Sequence, residues 1–214
     1  MVLRRKTSPL SSIKEAYCCT SFVCSSSKDN LLFPVRFRMW NPGENPTDNC
    51  TIIEAALATC AAPRIIAGVE IMGQVGPISY IGADLRWNNP VGYVWQEARS
   101  EFLSCRNANT CIVSIGTGKE RVIAIQPSEF AECLKQIARD CEETSEMASK
   151  HCDAMKWKYV RLNVDQGIQG MAWKEWGEHG GLIEQHTRYY LQKIEVDNKL
   201  KLLLENIESR ISLV

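Results

Sequence analysis

Asn49-Cys-Thr51-Ile-Ile-Glu54-Ala-Ala-Leu-Ala-Thr-Cys-Ala-Ala-Pro63, then Asn88-Asn89-Pro90, then Cys111-Ile-Val-Ser-Ile115-Gly116-Thr117-Gly118, is the run of sequence that sets the fold class of this chain. Thr51 and Glu54 stand at capping-box spacing ahead of an alanine-rich segment that Pro63 stops, which predicts a helix over about 51–61. Asn88-Asn89 ahead of Pro90 offers an N-cap side chain before a proline at the first helical position, predicting a helix from Pro90 to about Leu103. Cys111 to Ile115 is a short apolar run of the kind expected for a parallel strand covered on both faces, with a glycine turn behind it.

Working outward, Cys18 to Cys24 reads as a strand, and Leu31 to Arg38 as a second one at an edge, because Pro34 cannot donate to a ladder. Asn41 to Thr47 is a loop by composition. Ile65 to Met72 is a strand, and the loop Gly73 to Pro77 leads to Ser79-Tyr80-Ile81. On the other side, Ser128 caps one long amphipathic helix to about Met155, with Cys133, Cys141 and Cys152 in step with Phe130, Leu134, Ile137, Ala148 and Met155. Trp157 to Val164 alternates as a half-buried strand. Ile183 to Ile211 reads as one long helix with Ile194, Leu200, Leu203 and Ile207 on its core side. Strands alternating with helices predict an α/β class. Residues 1–17 read as a loose N-terminal segment and 18–214 as the body of the fold.

The chain has 214 residues, enough to bury a sizeable core. Lys+Arg and Asp+Glu are 25 each, so no net field recruits nucleic acid or an anionic surface. The one basic cluster, Arg4-Arg5-Lys6, lies in the loose start. No stretch approaches the roughly 18 apolar residues of a membrane span, and the first residues lack a secretory apolar region. A cytoplasmic location follows as the expectation, with the ten cysteines as reduced thiols. No cysteine pair has zinc-knuckle spacing and His151-Cys152 has no companion pair, so neither a metal nor another cofactor is expected.

The order of these motifs resembles the C-terminal half of the patatin-like phospholipases, especially the fungal branch. Thr51-Ile-Ile-Glu-Ala-Ala with Ala61-Ala-Pro63, Tyr80-Ile81 with Asn88-Asn-Pro-Val91, and Val113-Ser-Ile-Gly-Thr-Gly118 carry the resemblance. Asp140-Cys-Glu-Glu-Thr144 and Leu162-Asn-Val-Asp-Gln-Gly167 with Gly170 extend it over roughly residues 18–205. It implies a partial three-layer fold on a mostly parallel sheet, with the N-terminal nucleophile-bearing unit missing. Asn88, Asn89, Pro90, Gly116 and Gly118 would be its structural motif residues. The implied activity is acyl ester hydrolysis by a Ser–Asp dyad, on phospholipid or acylglycerol substrates, with further domains in a longer parent.

That chemistry needs a nucleophile, a base and oxyanion donors. No G-x-S-x-G elbow occurs in the sequence, and the oxyanion glycines of the family are absent as well. The family's aspartate stands six residues before the first Asn of Asn-Asn-Pro, and here that slot holds Gly82. Asp84, two residues on, is the remaining candidate base, against the alternative that it braces the turn before the Pro90 helix. Cys60 or Cys105 with His151, His179 or His186 would be a nucleophilic pair, but no local signature singles one out. Gly116-Thr-Gly118 as a phosphate nest lacks the P-loop lysine spacing. Trp173 and Trp176, with Gly170, Gly177, Gly180 and Gly181, form an aromatic-rich loop that either touches lipid or closes over a core edge. The sequence therefore leads to an inactive part of a lipid acyl hydrolase, or to a non-catalytic binding or regulatory module of the same descent.

Overall fold

The capping box forms as the spacing requires. Thr51 N–H donates to Glu54 Oε2 at 2.7 Å, and Glu54 N–H donates to Thr51 Oγ1 at 3.2 Å. Helix α1 (Ile52–Cys60) begins there in the computed structural model of the chain, which describes residues 22–38, 50–62, 65–83, 87–101, 110–119, 130–168, 171 and 175–211. Pro63 lies outside the described residues. Two units emerge, one within residues 1–88 and one within 89–214.

In the first unit, strands β1 (Phe22–Ser27), β2 (Asn30–Arg38), β3 (Val69–Met72) and β4 (Pro77–Gly82) form one sheet in the order β2-β1-β4-β3. All three pairings are antiparallel. The connections explain two of the three: Lys28-Asp29 joins β1 to β2 and residues 73–76 join β3 to β4, and turns this short cannot return a parallel strand. β1 ends at Ser27, later than expected, and Ile65-Ile66 is a turn rather than the start of β3. Ala55 and Ala58, three apart on α1, face the sheet and let the helix approach closely. They pack with Phe37, Cys50, Ile71 and Tyr80. Phe37 and Tyr80 meet edge to face, ring centres 5.0 Å apart.

In the second unit, β5 (Cys111–Ile115) and β6 (Lys158–Leu162) pair in parallel, Cys111 opposite Lys158 and Ile115 opposite Leu162. Between them run α3 (Phe130–Arg139) and α4 (Glu142–Ala154), a crossover of the length parallel pairing needs. Helix α2 (Val91–Glu101) precedes β5, and α5 (Gly180–Leu191) and α6 (Ile194–Ile211) follow β6. Val91, Ile112, Ala148, Cys152 and Trp157 make one core, and Val164, Tyr190 and Val196 a second.

The fold is thus mixed α/β with a small parallel sheet. Among the described residues the larger sheet is antiparallel, which corrects the expectation of a mostly parallel one. β5 also departs from the expected two-sided burial: Ile112 and Ser114 are buried, whereas Ile115 is 78% exposed. Its burial alternates as in a strand covered on one side.

Both long helices divide. Asp140 separates α3 from α4 because its Oδ1 accepts the Glu142 N–H at 3.1 Å, the local bond that makes aspartate a helix starter rather than an interior residue. Cys133, Ala148 and Cys152 are buried as expected, but Phe130, Leu134 and Ile137 are exposed. At Gln192-Lys193, α5 closes with short bonds back to Tyr189 and Tyr190. The Lys193 carbonyl then accepts from Val196 and Asp197 and opens α6. The core side of α6 is consequently Val196 and Leu200, while Ile194 and Ile207 face solvent.

Candidate functional site: a pocket at the carboxyl ends of the parallel strands

Ligands of α/β proteins gather at the carboxyl ends of parallel strands, where backbone leaves the ladder and side chains converge. In the second unit this end is built by the turn after β5. Gly116 N–H donates to Leu162 O at 2.8 Å, continuing the ladder by one rung, and Lys119 N–H donates to Val164 O at 2.7 Å. Between them Gly118 takes a positive φ of 128° and donates to Asn163 Oδ1 at 2.8 Å. Gly116 has a steric reason to be glycine, because a Cβ there would run into the Asn163 side chain and lie 2.7 Å from Arg161 Nη2. These N–H groups are all committed to protein acceptors, so the turn is a clamp and not a phosphate nest. In this geometry Gly116 and Gly118 serve the turn itself.

The clamp borders a pocket of about 730 Å³. Its walls are mainly apolar: Ile115 from β5, Leu162 and Val164 from the end of β6, Ile168, Met171 and Trp176, and Ile183 and Leu191 from α5. Polar groups share the lining: Thr117, Asn163, Thr187 and Tyr190, with Lys119 and, from α3, Gln136 and Arg139. The Tyr190 hydroxyl accepts Asn163 N–H at 3.0 Å, tying α5 to the strand end. Lys119 Nζ lies 3.8 Å from Glu142 Oε2. Among the described residues no Asp, Glu or His lines the pocket. The lining thus combines an apolar volume with cationic, amide and hydroxyl groups, in a concave space of the size that takes a small ligand.

Behind the clamp runs a buried polar chain. Ser114 Oγ donates to Asn89 Oδ1 at 3.2 Å and accepts from Arg161 Nη1 at 2.7 Å. Arg161 Nη2 reaches Cys141 Sγ at 3.2 Å. Asn89 therefore spends its carbonyl on β5, where the sequence suggested a helix cap. Pro90 holds the cap position itself, since its carbonyl accepts Tyr93 and Val94 N–H. Burial pushes the Cys141 thiol up, against the pull of Arg161, and pushes Cys152 up to about 11. Neither is poised as a thiolate nucleophile.

The remaining candidates fall elsewhere. Asp84, Cys105, Gly170 and Trp173 lie outside the described residues, while Trp176 joins the pocket wall. His151 stacks on Trp95 with ring centres 4.8 Å apart, and His179 Nδ1 lies 2.9 Å from Glu175 O. Gly82 is explained by packing in the first unit. Its N–H donates to Ala61 O at 2.6 Å, and a Cβ would stand 2.6 Å from that oxygen and 2.9 Å from Thr59 O. An aspartate there would press its side chain into two carbonyl oxygens at the end of α1. Sequence reasoning missed Asn163, Tyr190 and Ile183 as site residues, and only the first carried a signal, as a polar residue directly behind a strand.

Among the described residues no three His, Cys, Asp or Glu side chains gather into a group able to hold a metal ion. No helix among them is long and apolar enough to cross a membrane. No protein-family model matches the chain, and no curated protein matches it.

Proposed function

We propose that this chain is the C-terminal part of a patatin-like lipid acyl hydrolase domain, without hydrolase activity as it stands, and that its pocket receives an acyl chain. The observation that carries the reading is the mainly apolar pocket at the carboxyl ends of β5 and β6, with polar groups from the Gly116–Lys119 clamp, Asn163, α3 and α5. The motif order from Thr51 to Gly167 supports the family assignment, and the missing G-x-S-x-G supports the lack of turnover. A domain of this type in a longer parent would contribute wall and support to a serine acyl-enzyme, with a phospholipid or acylglycerol as substrate.

A long-chain fluorescent fatty acid should bind the chain and be displaced by its unlabelled counterpart, while p-nitrophenyl esters should be hydrolysed no faster than in buffer. Hydrolysis well above background that disappears in Asp84→Ala would overturn the inactive reading, and absence of any fatty-acid binding would overturn the pocket assignment.

Gly82 favours a second reading, a non-catalytic binding or regulatory module of the same descent. The backbone approach at that position leaves no room for the family's aspartate. The mass of the endogenous protein separates the two: a species much heavier than 24.2 kDa supports the hydrolase part, and one at 24.2 kDa the module.

A further inference from the structure

The pocket of the second unit carries its charge where it meets water. Val164 and Tyr190 in its wall are buried, whereas Lys119 and Arg139 are exposed. Gln136 and Arg139, three apart on α3, turn one face of that helix to the pocket. Lys119 stands near them through the start of α4, where its Nζ lies 3.8 Å from Glu142 Oε2. The walls from Ile168 and from Ile183 on α5 are apolar, so the lining has a cationic side and an apolar body.

Among the described residues Lys119 and Arg139 are the charged groups of the lining, and both are cationic. The chain as a whole is balanced at 25 acidic and 25 basic residues, so this is a local field. Glu142 stands outside the lining, and its Oε1 accepts from Asn163 Nδ2 at 3.4 Å. Its pairing with Lys119 is loose, the two side chains being 38% and 54% exposed, and an exposed pair of this kind contributes little. Lys119 can turn to a ligand at small cost.

We infer that the pocket selects a free carboxylate over a neutral head: the ligand's chain lies against Val164, Ile168, Ile183 and Tyr190, and its carboxylate meets Lys119 and Arg139. This rests on the acyl-chain reading of the pocket and adds what stands at the end of that chain. An acid, its methyl ester and the matching alcohol bury the same alkyl chain, so apolar area does not separate them. Only the acid brings a charge to the two cations, and charge-assisted hydrogen bonds are stronger than neutral ones. Because both cations are exposed, the carboxylate keeps part of its water and the preference is screened by salt.

The test is competition on the full chain, with dodecanoic acid, its methyl ester and dodecanol each displacing the same fluorescent long-chain fatty acid, at about pH 8 where the acid is ionised. The acid should bind at least about fivefold tighter than the ester or the alcohol at low salt, and the ratio should shrink as salt rises. Lys119→Met and Arg139→Met should each lower the acid-to-alcohol ratio about two- to fivefold, while Arg139→Lys, which keeps the charge, should retain it. The ratio is the readout because a merely structural loss lowers all three affinities alike. Equal binding of acid, ester and alcohol would overturn the inference and leave the acyl-chain reading standing. A ratio indifferent to salt and to both Met variants, or variants that weaken the three ligands in parallel, would also overturn it. Binding of none of the three would remove the acyl-chain reading and this inference together.

Discussion

Asn163 Oδ1 accepts the backbone N–H of Gly118 at 2.8 Å, and this side-chain bond joins the Gly116 and Lys119 backbone bonds in holding the turn after β5 against the end of β6. Asn163→Ala strands a part-buried N–H whose φ of 128° leaves it few alternatives. The expected loss is about 1–3 kcal/mol of stability, read as a lowered denaturation midpoint. Fatty-acid affinity should fall with it, because the turn forms a wall of the pocket. An unchanged midpoint would mean the turn is held by its Gly116 and Lys119 bonds alone.

The pocket can be filled from α5. Thr187 lines it beside Ile183 and Leu191, and Thr187→Trp would occupy space that the acyl chain needs. If the pocket receives an acyl chain as proposed, binding of the fluorescent fatty acid should weaken at least about tenfold, since a lost apolar contact of this size is worth more than about 1.4 kcal/mol. Affinity equal to the parent would place the ligand elsewhere.

Installing at Gly82 the aspartate of the proposed patatin-like family should damage the fold and restore nothing. Gly82→Asp puts a Cβ 2.6 Å from Ala61 O, so the end of α1 must move away from β4. A loss of about 1–3 kcal/mol is expected from overpacking, plus the repulsion of a carboxylate beside two carbonyl oxygens. Gly82→Ala should show most of the steric part. A Gly82→Asp variant as stable as the parent would remove the packing account of this glycine.

What could be read beforehand follows the range of the forces involved. The capping box of α1 and the Gly116–Gly118 turn were legible because each is decided within a few residues. Asp140 signalled a helix start just as locally, yet the apolar spacing on either side of it suggested a single helix. The break at Lys193 had no signal at all: no glycine or proline stands there, and it is stabilised by Asp165, 28 residues away. Strand direction was misjudged because apolar runs look alike in parallel and antiparallel sheets, whereas connection length distinguishes them. The pocket escaped because Ile183 and Tyr190 reveal their role only once α5 lies against the end of β6.

The Asp165–Lys193 pair gives stability a defined pH window. Their charged groups meet at 2.5 Å. The hydrogen bond from Lys193 holds the Asp165 carboxyl below its ordinary range, and the same bond holds the Lys193 ammonium above its own. A depressed carboxylate adds stability above its unfolded value of about 3.9, lost as pH falls through the folded one. A raised lysine adds stability below about 10.4, lost as pH rises through its folded value. The pair should therefore act between roughly pH 4 and pH 10. Lys193→Met should flatten the melting temperature at both edges of that window, and a melting profile that keeps its shape would show the pair to be energetically silent.

Lys156 follows α4 with a φ of 56°, in the left-handed region. Its neighbours complete the helix ending that usually employs glycine: Lys156 N–H donates to Asp153 O at 3.0 Å and Trp157 N–H to Cys152 O at 2.8 Å. A side chain costs about 1 kcal/mol in this conformation, while glycine adopts it freely. Lys156→Gly should then gain somewhat less than about 1 kcal/mol, the greater freedom of glycine in the unfolded chain offsetting part of the relief. The melting temperature should rise by less than about 2–4 °C, the shift that a full 1 kcal/mol gives a chain of this size. Lys156→Ala keeps the strained Cβ and should leave melting near the parent value. If alanine stabilises as much as glycine, the gain comes from removing the lysine side chain, and backbone strain at the end of α4 is not its source.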